Sequence, residues 1–130
     1  MGYRSEVKSV IYGEPREVQL LKEACFDLYN QITEAFGDAL RQVNLSDDVS
    51  MIYLDCDYIK WYDDDEDVQR WHEFLNLASE VGLSTEFVRV GESSDGDIEQ
   101  HFEGKNNRYY LTPKVSIDVG FNYYRNNAGV

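Results

Sequence analysis

The sequence predicts an α+β domain in which two helices pack on one face of a mostly antiparallel sheet. Three observations carry this. Two segments repeat apolar residues at three- and four-residue steps, as amphipathic helices do, and the others alternate apolar and polar residues, as strands do. The helical and strand-like stretches interleave through short connections, with no linker and no internal repeat. The 130 residues are 42% hydrophobic and 28% charged. That is a globular balance in a length suited to one domain, placed at 1–121, with a flexible tail expected at 122–130.

Residues 3–12 alternate. Tyr3, Ser5, Val7, Ser9 and Ile11 fall on one face, and Arg4, Glu6, Lys8, Val10 and Tyr12 on the other. This is the pattern of a half-buried strand. Gly13-Glu14-Pro15 ends it, and Pro15 suits the first turn of a helix. The helix stripe is Val18, Leu21, Cys25, Leu28, Ile32, Ala35 and Ala39, widened by Leu20, Ala24, Phe36 and Leu40. It is expected to run to near Val43, with Gly37 as a point of kinking or breakage. A coiled coil would give the same stripe, but the flanking strands favour a helix laid on a sheet.

Asn44 to Asp48 is a turn. Ser50 to Tyr62 is rich in aromatic and β-branched residues and is expected to be a strand, or a hairpin bent at Asp55-Cys56-Asp57. Asp63 or Asp64 can cap a second helix whose stripe is Val68, Trp71, Leu75 and Ala78, supported by Phe74 and Val81. Gly82 is placed to end it. Thr85–Val90 is a strand, and Asp97–Glu103 another with Ile98 and Phe102 facing in. Gly104-Lys105-Asn106-Asn107 is a hairpin-type turn. Arg108–Phe121 alternates through Val115, Ile117, Val119 and Phe121 as a last strand, with Pro113 marking an edge or a bulge. The order β-α-β-α-β-β-β fits a ferredoxin-like two-layer sandwich or a relative of it.

The formal net charge is −13, from 25 acids and 12 bases. This argues against direct nucleic-acid binding and against an anionic membrane surface, both of which require basic residues. No apolar run reaches the roughly 20 residues of a membrane helix, and the first ten residues carry no signal-peptide core. The acidity is concentrated: Ser46–Asp67 holds nine acids and one base, Lys60. Cys25 and Cys56 are too few for a disulfide framework or a zinc site, so two reduced thiols in a cytoplasmic protein are expected.

Asp55-x-Asp57 followed by Asp63-Asp64-Asp65-Glu66-Asp67 raises the question of a divalent metal, since hard cations require several carboxylate oxygens. Helix capping and the helix dipole explain the second group as well, and no metal or other cofactor is expected. Asp95-x-Asp97-x-Glu99 starts like an EF-hand loop, but Gln100 stands where that loop needs glycine and Asn106 where it needs glutamate. His72 and His101 belong to no catalytic spacing, and the glycines form no phosphate loop. Trp61, Tyr62 and Trp71 cluster about the acidic block, as core where strand meets helix or as part of an interaction surface.

Some short stretches resemble those of a known group. Met1-Gly2-Tyr3-Arg4-Ser5-Glu6-Val7, Ile59-Lys60-Trp61-Tyr62 ahead of Asp67-Val68, and Phe87-Val88-Arg89-Val90-Gly91-Glu92 followed by Asp97-Ile98-Glu99 resemble blocks of small bacteriophage and prophage proteins of unknown function. The resemblance spans most of 1–120 in order, although Leu20–Val43 does not fit it. It implies a phage accessory protein working in the host bacterial cytoplasm, and it brings no catalytic residues.

The leading expectation is therefore a non-enzymatic protein that binds a basic surface of a host protein, as a defence inhibitor or nucleic-acid mimic. Its expected surface is Asp47, Asp48, Asp55, Asp57, Trp61, Tyr62, Asp63, Asp64, Asp65 and Asp67. The alternative is a small metal-dependent enzyme or ligand-binding domain using the same clustered carboxylates.

Overall fold

A computed structural model describes residues 4–91, 98–104, 111–112 and 120–121. Strand β1 (Arg4–Gly13) leads into helices α1 (Pro15–Ala24) and α2 (Phe26–Phe36). A short 3-10 turn then precedes β2 (Leu40–Asn44) and β3 (Ser50–Lys60). Helix α3 (Glu66–Glu80) is followed by β4 (Ser84–Gly91), β5 (Ile98–Glu103), β6 (Leu111–Thr112) and β7 (Gly120–Phe121). The main sheet has the order β2-β3-β1-β4-β5, and every neighbouring pair is antiparallel. Without β5 this is the ferredoxin-like split βαβ order, with the helical crossovers laid over one face. β5 adds an edge by pairing with β4.

The helix-side core joins Val7 and Ile11 of β1, Ile52, Leu54 and Cys56 of β3, and Phe87 of β4 to the helices. The helices contribute Val18 and Leu21, Ile32, and Val68, Trp71, Phe74, Leu75 and Ala78. Helix α3 ends in a Schellman motif: Leu83 N–H donates to Ala78 O at 3.0 Å and Gly82 N–H to Ser79 O at 3.1 Å. Gly82 takes φ 94, a left-handed conformation that glycine adopts without penalty.

The long first helix expected from the stripe is corrected in two places. At Cys25 the backbone leaves the helical region (φ −113, ψ 39), separating α1 from α2. Cys25 N–H still reaches Leu21 O at 2.9 Å and Tyr29 N–H reaches Cys25 O at 2.8 Å, so these four-residue bonds bridge the break. Gly37 at φ 54 ends α2, as its expected breakage allows, so the helix does not run on to Val43, and Ala35 is exposed rather than part of the stripe. Beyond it, Leu40 and Val43 are strand residues. Three positions apart on a strand, they face opposite ways, Leu40 into the helix-side core and Val43 into a cluster on the other face.

That other face is a second correction, because β1 is not half-buried: toward its C-terminal end both faces are covered. Val10, Tyr12, Met51, Val88 and Val90 form a buried cluster on it, joined by Leu111 of β6. Leu111 pairs with Phe121 and Thr112 with Gly120, antiparallel. The chain therefore reverses between them, and Arg108–Phe121 is not one continuous strand. Ile98, expected inside, is exposed, while Phe102 packs against the second cluster. The turn at 105–107, Pro113 and the tail at 122–130 lie outside the described residues.

The strand reading of Ser50–Tyr62 holds and the hairpin alternative does not: β3 runs straight through Asp55-Cys56-Asp57, with a β-bulge at Asp57–Tyr58. Val7 pairs with Cys56 but Ser5 with Ile59, so β3 carries one extra residue opposite Glu6, and Tyr58 sits at φ 55. The extra residue changes the phase of the strand. Before it Ile52, Leu54 and Cys56 face the helices; after it Ile59 and Trp61 do.

Candidate functional site

The bulge decides what the acidic block presents. It turns Trp61 inward, where it is 6% exposed and packs on Phe36, Phe87 and His72 with ring centroids 5.9–6.0 Å apart. Trp61 therefore belongs to the core and not to an interaction surface. Asp57, Tyr58 and Tyr62 are left exposed, as are Asp63, Asp64, Asp65 and Asp67. The N-cap of α3 is Asp65, one or two residues after the expected cap, and its side chain makes no capping bond. Glu66 and Asp67 occupy the first turn, where the dipole favours acids, and both pair with Arg70 at 3.2–3.3 Å.

The other predicted acids lie elsewhere. Asp47 and Asp48 are exposed in the β2–β3 turn, where Asp48 N–H donates to Ser46 Oγ at 3.2 Å. That turn is at the far end of β3, roughly 30 Å from the bulge at about 3.3 Å per residue. Asp55 lies between, on the face away from the helices, and receives Lys8 Nζ at 2.7 Å. One linear block is thus divided into an acidic, tyrosine-bearing end at the β3–α3 connection, a neutralised Asp55, and a separate pair at Asp47–Asp48.

A second grouping unites residues that the sequence left apart. His72 of α3 and His101 of β5 flank Phe87 of β4, with ring centroids 4.9 and 5.9 Å from it. The register sets this: Phe87 pairs with His101 and Arg89 with Glu99. Glu99 accepts bonds from Arg89 Nε at 3.1 Å and from His101 Nε2 at 3.0 Å, and Arg89 Nη1 also donates to Ser5 Oγ at 2.9 Å. Burial pushes the Glu99 carboxyl up, but the hydrogen bonds from His101 and Arg89 outweigh it, so Glu99 stays below the ordinary carboxylate range. Burial also holds His72 below the usual imidazole range, against the pull of Glu99 and Asp63. The signal in the sequence was the β4–β5 hairpin. Once its register is fixed, His101 must sit beside Phe87.

Between α3 and β5 these residues border a cleft of about 200 Å³ lined by His72, Asn76, Thr85, Phe87, His101 and Glu103. An open acidic groove along α3, containing Asp63, Glu66 and Glu73, shares His72 and Asn76 with it.

Among the described residues no three or more His, Cys, Asp or Glu side chains are grouped to hold a metal ion. Asp95 and Asp97 lie outside the described residues, and Glu99 is engaged as above. Cys25 and Cys56 are free thiols; burial first, then Asp55 and Asp57, pushes Cys56 up to about 12, so it is a poor nucleophile at neutral pH. Among the described residues no helix is long and apolar enough to cross a membrane. No protein-family model, no curated protein and no solved structure matches the chain.

Proposed function

We propose that the protein is a non-enzymatic binding protein whose acidic end docks on a basic surface of a partner protein. The observation that carries this is the exposed set Asp57, Asp63, Asp64, Asp65 and Asp67 beside Tyr58 and Tyr62. Like charges crowded at one end repel one another, and solubility is met equally well by an even distribution. Capping explains few of these acids, because Asp65 makes no capping bond. A basic partner relieves the repulsion, and exposed tyrosines supply contact area beside the charges.

The phage-like blocks in the sequence make that partner a protein of a bacterial host, met in the host cytoplasm, with inhibition of a defence component or mimicry of nucleic acid as the consequence. Mimicry suits carboxylates seated in a groove that otherwise binds phosphates.

The test is capture of the partner from bacterial lysate, followed by kinetics with Asp63, Asp64, Asp65 and Asp67 changed together to Asn. Association should slow at least about tenfold at low salt, and the difference should shrink once the Debye length falls below about 8 Å. A folded variant with an unchanged on-rate overturns the assignment of this end.

A further inference from the structure

We propose that the cleft between α3 and β5 receives the guanidinium group of an arginine side chain from the partner. This rests on the reading of the partner as basic, and it names where one of its side chains enters.

Thr85 is 6% exposed and lines the cleft, yet its hydroxyl makes no hydrogen bond among the described residues. Its hydroxyl is therefore open to a donor that enters the cleft. The Asn76 side chain, exposed on α3, lines the same cleft. Glu103 Oε2 accepts a hydrogen bond from Ser79 Oγ at 2.8 Å, which leaves the second oxygen for another donor. A hydroxyl, an amide oxygen and a carboxylate oxygen thus surround one small volume.

The walls suit a flat cation. Phe87 forms the floor, and the His101 ring lies nearly parallel to it, at 27°. The His72 ring is tilted at 60° to Phe87. A guanidinium stacks on an exposed ring such as that of His101 and offers five N–H donors in a fixed fork; an ammonium is a compact point charge without that plane.

The approach is charged in the same sense. The groove that shares His72 and Asn76 with the cleft runs along α3 past Glu73 to Glu66 and Asp63. Its cation, Arg70, is tied to Glu66 and Asp67, and Arg89 is tied to Glu99. An anion would meet Glu103 at the cleft and acids along the whole approach.

The experiment is NMR of the full chain, titrated with the blocked peptide acetyl-Gly-Arg-Gly-amide and with its lysine and citrulline counterparts. The arginine peptide should shift the Asn76 side-chain amide and the His101 ring saturably and bind at least about tenfold more tightly than either counterpart. Asn76→Ala, at an exposed position that the fold does not need, and Thr85→Val should each weaken it by about tenfold with the rest of the spectrum unchanged. Absence of saturable shifts at these residues, equal binding of the citrulline or lysine peptide, or full affinity in both variants overturns the cleft assignment. None of those results touches the acidic end, which is tested separately by the Asp63, Asp64, Asp65 and Asp67 replacement.

Discussion

Tyr12 donates its hydroxyl proton to Glu86 Oε2 at 2.6 Å, joining β1 to β4 on the sheet face away from the helices. Glu86 is wholly buried, and its other oxygen accepts the Leu111 backbone N–H at 3.0 Å. Among the described residues no cationic side chain pairs with it, so two neutral donors hold a buried carboxyl group. Removing one of them leaves an acceptor unsatisfied. Tyr12→Phe should therefore cost about 1–3 kcal/mol in urea denaturation. Glu86→Val should speed exchange of the Leu111 amide, because that N–H loses its acceptor; unchanged exchange would show that β6 is held by Leu111 packing alone.

The break at Cys25 changes which helix positions carry the core. Ile32 is fully buried, while Ala35, in the same apolar stripe of the sequence, is exposed. Ile32→Ala should cost about 2–5 kcal/mol. Ala35→Ser should stay within about 0.5 kcal/mol. Equal losses at the two positions, measured by chemical denaturation, would restore the unbroken helix.

Two glycines should respond differently to alanine. Gly82 has φ 94 and open space about it, so Gly82→Ala meets only the left-handed conformation, about 1–2 kcal/mol. Gly104 has φ 121, and a Cβ there would lie 2.7 Å from the Ser84 Cα. A backbone atom cannot step aside as a side-chain tip does, so Gly104→Ala should lower the melting temperature more than Gly82→Ala. The reverse order would place the β5 end away from Ser84.

His72 and Glu99 set the acid sensitivity. Burial holds His72 below its ordinary value of 6.5, so the folded state disfavours its protonation. Its contribution to stability is complete above pH 6.5 and declines as the pH falls from there through the lowered folded value. Glu99, also lowered, acts with the same sign in a more acid window, below about 4.5. The denaturation midpoint should fall from pH 7.5 to 5.5, and His72→Asn should flatten that slope while leaving the fall below pH 4.5 in place. A slope that persists unchanged in His72→Asn would assign the effect to other groups.

The sequence alone determined the class of fold, since three- and four-residue steps and two-residue alternation are properties of short segments. Val68, Trp71, Leu75 and Ala78 share a helix face whatever lies opposite, and Val7 and Ile11 share a strand face for the same reason. Pro15 and Gly82 marked helix ends through their own backbone limits. Tertiary structure decided what depends on a partner strand. Leu40 and Val43 fit a helix stripe or a two-sided strand equally well, and pairing with β3 settles the choice. The phase of Trp61 depends on one extra residue opposite Glu6, which only the β1–β3 register reveals. The acids of Ser46–Asp67 are neighbours in sequence, but an 11-residue strand holds their ends apart. His72 and His101 are distant in sequence and meet at Phe87. Periodicity reports the direction of a side chain within its own segment; hydrogen bonding between segments fixes which segment it meets.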